Sequence, residues 1–117
     1  MKLLGIDPGL RNTGWGVIET DGNRITYLGD GAVTSDPSLS LAERLVQLHD
    51  GLLSVIERFQ PKEAAVEETF VNVNPSSTLK LGQARGIALF VPSKSGISVS
   101  EYSPNLIKKS LVGSGHA

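Results

Sequence analysis

The sequence predicts an α/β domain built on a mixed five-stranded sheet, three antiparallel strands followed by parallel ones, with helices on its faces. Three observations carry this. Residues 2–34 read as strands punctuated by turn chemistry, residues 41–60 repeat apolar side chains at helical spacing, and strand and helix patterns alternate from residue 64 onward.

The first two strands are expected over 2–7 and 14–20, joined by the loop PGLRNT. Asp21-Gly22 is a hairpin signal leading into a third strand over 24–34. In SLAE, Ser40 and Glu43 form a capping box ahead of a helix over 41–60. Its Leu41, Leu45, Leu48, Leu52, Val55, Ile56 and Phe59 follow at helical spacing, and Gln60-Pro61 ends it. Residues 64–68 (AAVEE) form a short buried strand, and 71–76 a polar loop.

A second helix is expected to begin at Ser76 or Ser77 and to stop near Val91, ahead of Pro92. Its Gly82 and Gly86 lie one turn apart, and each costs about 1 kcal/mol against alanine in a helix interior. Close approach of another backbone is the expected compensation. Residues 97–102 read as a further strand, after which Ser103-Pro104-Asn105 caps a third helix through Leu111.

At 117 residues the chain is one domain with room for a core. It has no cysteine, which excludes a disulfide framework and a thiolate metal site and suits a reducing compartment. Nothing at the N-terminus reads as a secretory signal, and no apolar run approaches the ~20 residues of a membrane helix. The cytoplasm is the expected location, with no membrane partner. A net charge of −1 gives no global attraction to nucleic acid, although residues 61–117 hold 6 Lys/Arg against 4 Asp/Glu and residues 1–60 hold 5 against 8.

The informative residues are acids at strand ends. Asp7 closes an apolar strand directly before Pro8-Gly9, and Glu67 and Glu68 close another. An acid before Pro-Gly also suits a simple turn, and on Asp7 alone both readings are open. Successive strand residues face opposite ways, so only one of Glu67 and Glu68 can share a face with Asp7. Two carboxylates on neighbouring strand ends repel each other unless a cation sits between them. Mg²⁺ or Mn²⁺ takes such hard-oxygen pairs when it also binds phosphate.

Three blocks, GIDPGLRNTGWGVI, VEETFVNVNPSSTLKLGQARG and EYSPNLIKKSLVGSGHA, closely resemble the bacterial RuvC family of Holliday junction resolvases. The resemblance implies an RNase H-like fold and a homodimeric, Mg²⁺-dependent endonuclease, with Mn²⁺ as an alternative ion. It implies symmetric nicking of opposing strands of a four-way DNA junction, leaving 5′-phosphate and 3′-hydroxyl ends. Asp7 matches the family's first catalytic aspartate. Glu67, rather than Glu68, matches the second acid, because Phe70 then falls at the family's aromatic three residues later. The family scheme uses two ions per site. It also implies RuvA and RuvB as branch-migration partners.

Phe70 suits stacking on bases at a crossover, and equally suits core packing. Asn74, Ser77, Lys80 and Arg85 lie at the start of the second helix or along it, and a helix N-terminus is a natural phosphate site. Lys108 matches a DNA-contacting lysine of the family. The family pattern also has two aspartates on a C-terminal helix beyond GSGHA, which this sequence does not reach. Two acids without those partners are expected to give little cleavage.

Other readings stay open on the sequence alone. One is an actin-like phosphate-binding hairpin, which needs a second such domain. Another is a junction-binding, dimerising module without catalysis, and a third is a different RNase H-like nuclease. His49 and His116 suggest no ligand role.

Overall fold

The structure, a computed structural model, describes residues 1–68 and 75–102. Within them lie β1 (Lys2–Asp7), β2 (Asn12–Asp21), β3 (Arg24–Thr34), α1 (Leu41–Phe59), β4 (Glu63–Glu67), α2 (Pro75–Lys94) and β5 (Ser98–Tyr102). The five strands form one sheet in the order β3-β2-β1-β4-β5. β2 is antiparallel to both neighbours, whereas β1, β4 and β5 are mutually parallel. The expected mixed sheet is therefore present.

Strand alternation decides what each face carries. Leu4 and Ile6 of β1, Val17 of β2 and Ala64 and Val66 of β4 are buried together with Leu52, Val55 and Ile56 of α1 and Ala88 and Val91 of α2. Both helices thus cover the same face of the sheet. The alternate residues, among them Leu3, Gly5 and Asp7, belong to the opposite face.

α1 forms where its local signals place it. The Ser40 hydroxyl accepts from the Glu43 amide, and the Glu43 carboxylate accepts from the Ser40 N–H, completing the capping box. Gln60 ends the helix in a left-handed conformation (φ 53°) immediately before Pro61. In the loop ahead of α1, Asp36 accepts from both the Ser38 amide and hydroxyl, which holds its carboxyl below the usual range.

Gly51 lets α1 lie close against β3. A Cβ there would overlap both methyl carbons of Val33 at under 3.0 Å. Val33 is β-branched and sits on a paired strand, so it has little room to yield. Gly51→Ala is expected to lower stability by about 1–3 kcal/mol despite its better helix propensity, as urea unfolding will measure.

The structure corrects several boundaries. β2 starts at Asn12, so the loop after β1 is shorter than expected, and β4 ends at Glu67, which leaves Glu68 outside it. α2 starts at Pro75 and runs through Pro92 to Lys94. Proline suits the first helical position because the amide it lacks would be unpaired there. Pro92 falls in the last turn, so little of the helix lies beyond it. The end closes as a Schellman motif: Ile97 N–H donates to the Pro92 carbonyl, Gly96 N–H to Ser93, and Gly96 takes φ +83°.

At Gly82 and Gly86 a Cβ would meet nothing within 4 Å among the described residues, so the expected close backbone is not one of theirs. The expected third helix lies outside the described residues. Among the described residues, no helix is long and apolar enough to cross a membrane.

Candidate active site

β1 and β4 run side by side with Leu3 opposite Glu63 and Ile6 opposite Val66. One residue further along each strand come Asp7 and Glu67, so the register sets them next to each other. Ile6 and Val66 both point into the helix-covered core, and Asp7 and Glu67 therefore share the opposite face. Neighbouring strands lie about 4.8 Å apart. Two carboxylates about 5 Å apart repel by roughly 3 kcal/mol at an effective dielectric near 20.

The two acids differ in setting. Glu67 is 7 % exposed, while Asp7 is exposed. Asp7 makes no ion pair or side-chain hydrogen bond among the described residues. Its oxygens therefore fit the role of ligands to a hard divalent cation, with Glu67 as the adjacent donor. Among the described residues, no third His, Cys, Asp or Glu completes a cluster with them.

The turn after Asp7 is held firmly. Thr13 is 1 % exposed, and its hydroxyl accepts from the Gly9 amide at 3.2 Å while donating to the Gly9 carbonyl at 2.7 Å. Gly9 leaves no space for a side chain, since a Cβ would collide with the Asn12 carbonyl oxygen. Leu10 anchors the loop among Leu48 of α1 and Ala84 of α2. Ser35 donates its hydroxyl to the Leu10 carbonyl at 2.5 Å and accepts from Arg44 Nε at 2.9 Å. Opposite Asp7 stands Gly14, where a Cβ would lie 3.7 Å from that of Asp7. The side of Asp7 toward β2 therefore carries no side chain of its cross-strand partner.

Thr13, Ser35 and Arg44 are absent from the sequence-based candidates. Their sequence signal is weak, because a buried hydroxyl closing a turn looks like any strand threonine until the register is known.

In the parallel β4–α2–β5 crossover, Ala84 of α2 packs against Leu10 in the loop that follows β1, and the helix N-terminus lies beyond that level. Ser77 and Lys80 lie in its first two turns. Both are exposed, and Ser77 has an interaction partner of its own. Arg85, about 15 Å along the axis from Pro75, is level with the ends of β4 and β5 but on the helix-covered face, opposite the acids. It forms an ion pair with Glu101 of β5. Phe70, Asn74 and Lys108 lie outside the described residues, as does His116. His49 is partly exposed on α1, with Nδ1 2.9 Å from Asp50 Oδ1.

Comparison with known proteins fits this geometry. The family model described as crossover junction endodeoxyribonuclease RuvC matches residues 3–117. The RuvC of Paramagnetospirillum magneticum is 62 % identical over 117 residues, covering all of this chain and 70 % of that protein. That of Rhizobium meliloti is 60 % identical over 116 residues, covering 99 % of this chain and 68 % of the relative. Among solved structures, Thermus thermophilus RuvC in complex with a Holliday junction substrate superposes with a TM-score of 0.84 at 35 % identity, over all of this chain and 72 % of that one. The sheet order and the helical layer are those of the RNase H-like fold of these neighbours. An α/β sheet whose first and fourth strands end in adjoining carboxylates, matched over its length by these relatives, places the chain in the RuvC family of crossover junction endodeoxyribonucleases.

Proposed function

We propose that this chain carries the first two acids of a site that resolves four-way DNA junctions by nicking two opposing strands symmetrically through metal-dependent phosphodiester hydrolysis, leaving 5′-phosphate and 3′-hydroxyl ends. Little cleavage is expected from the chain without the further aspartates of the family pattern. The observation that carries the reading is the placement of Asp7 and Glu67 side by side on one face of the sheet. Mg²⁺, or Mn²⁺ in its place, supplies an activated water and neutralises charge on the reacting phosphate when held by these carboxylates. The two aspartates that the family pattern has beyond residue 117 complete the ligand set in this reading.

The chain's own residues provide the frame. Thr13 and Gly9 fix the turn that aims Asp7, and the burial of Glu67 limits its rotamers. Lys80 and the α2 N-terminus attract DNA phosphates in this reading, with Ser77 beside them. Phe70, Asn74 and Lys108 contact the junction in this reading, as the resemblance implies. A DNA contact from Arg85 requires its pair with Glu101 to open. The compartment that goes with such a substrate is the cytoplasm, where RuvA and RuvB are the branch-migration partners.

Two symmetric nicks call for two active sites, and α2 offers the surface for a homodimer. Leu79 and Phe90 are 64 % and 54 % exposed, and Gly86, open to solvent, lies between them on the same helical side. Gly82 is one turn from Gly86 and equally open. A second copy crossing here would approach closely at the glycines and cover both apolar side chains. Phe90→Asp is expected to convert a dimer to a monomer in analytical ultracentrifugation, and to cut paired nicking more than junction-strand nicking as a whole.

The full-length protein incubated with a synthetic four-way junction and Mg²⁺ tests the function. Paired nicks on opposing strands are expected. Equal cutting of linear duplex, or no cutting with tight binding, would contradict the reading.

A further inference from the structure

We infer that Tyr102 is a substrate-contacting residue of the acid site, its phenol donating a hydrogen bond to a non-bridging oxygen of the phosphate bound over Asp7 and Glu67. The inference deepens the nuclease reading and rests on it.

The placement follows from register. In the parallel β4–β5 pair, Val66 lies opposite Glu101 and Glu67 opposite Tyr102. Val66 points into the core beneath the helices, and Glu101 joins it on that side by pairing with Arg85 of α2. Tyr102, the next residue, must therefore stand on the other face, beside Glu67. The order across that face at the end of the sheet is Gly14, Asp7, Glu67, Tyr102. Tyr102 thus forms the wall of the acid pair on the β5 side.

Two features hold the residue there. The Glu101–Arg85 ion pair ties the penultimate residue of β5 to α2. The Glu68 amide donates to the Tyr102 carbonyl at 2.6 Å, extending the ladder to the last residue of the strand. Glu67 itself is 7 % exposed, whereas Tyr102 remains 36 % exposed, so the ring is accessible from solvent while its neighbour is packed.

The chemistry suits a phosphodiester. A phenol reaches farther above the sheet than a glutamate carboxylate, to the level at which a phosphate held over the two acids would sit. Its hydroxyl adds a donor without bringing a cationic side chain to the site, and it is a weaker ligand for a hard cation than the carboxylates.

The test uses the full-length protein and single-turnover cleavage of a synthetic four-way junction, with an ordinary phosphate or a phosphorothioate at the scissile position. Sulfur is the poorer hydrogen-bond acceptor. Tyr102→Phe is expected to slow cleavage of the ordinary junction by about tenfold or more, with junction affinity within twofold and the melting temperature unchanged. On the phosphorothioate junction the same substitution should cost much less, because the bond it removes is already weakened. Equal rates for wild type and Tyr102→Phe would overturn the assignment. So would an equal slowing on both substrates, which a role in packing produces. Asp7→Asn serves as the control on the underlying reading: if it cuts normally the nuclease site is wrong, whereas an inactive Asp7→Asn beside a fully active Tyr102→Phe removes only the tyrosine.

Discussion

Asp7→Asn is expected to reduce junction cleavage by about a thousandfold or more while leaving junction affinity unchanged or tighter. The substitution keeps the shape of the side chain and removes its charge. Asp7 is exposed and makes no ion pair among the described residues, so the fold does not depend on the lost carboxylate. What is lost is a hard anionic ligand beside Glu67, and with it much of the charge that holds a divalent cation. A thousandfold corresponds to about 4 kcal/mol of transition-state stabilisation. Binding should persist, because a carboxylate facing a phosphate backbone is repulsive until a cation intervenes. Single-turnover assays with Mg²⁺ and anisotropy titrations without it read the two quantities separately. A rate within tenfold of wild type would show that the acid is only a turn former.

Gly9→Ala is expected to lower cleavage by about a hundredfold and stability by about 1–3 kcal/mol. A Cβ at residue 9 would overlap the Asn12 carbonyl oxygen, which belongs to the first residue of β2. That atom is backbone in a paired strand, with Asn12 opposite Thr34, so the turn has to move instead. Moving it strains the two hydrogen bonds between Gly9 and Thr13 and shifts the segment that begins at Asp7, two residues away. A ligand displaced by about 1 Å is enough to cost two orders of magnitude in rate. Cleavage measured well below the melting temperature separates this from simple unfolding. Wild-type activity in a folded Gly9→Ala protein would mean that the turn does not aim Asp7.

The parts of the molecule that were legible in the sequence are those fixed by short-range chemistry. Ser40 and Glu43 sit within one helical turn, and Asp21-Gly22 needs only its own φ preferences, so the start of α1 and the β2–β3 hairpin follow from the residues themselves. Asp7 and Glu67 stood out because a strand bound for the core does not otherwise end on an acid. Pro92 misled, since a proline in the last turn of a helix removes little, and the Schellman closure at Gly96 supplies the actual stop. Gly82 and Gly86 pointed to a close backbone without saying whose, and among the described residues their Cβ positions are open. The roles of Thr13, Ser35 and Tyr102 were illegible for one physical reason. Each depends on which residue of a distant strand or loop lies opposite, and register emerges only when the whole sheet is assembled.

The most direct measurement is anomalous diffraction from crystals of the full-length protein grown with Mn²⁺. A peak coordinated by carboxylate oxygens of both Asp7 and Glu67 is the expected result. A structure in which the ion binds without either acid, or in which the two carboxylates turn away from a common site, would contradict the account.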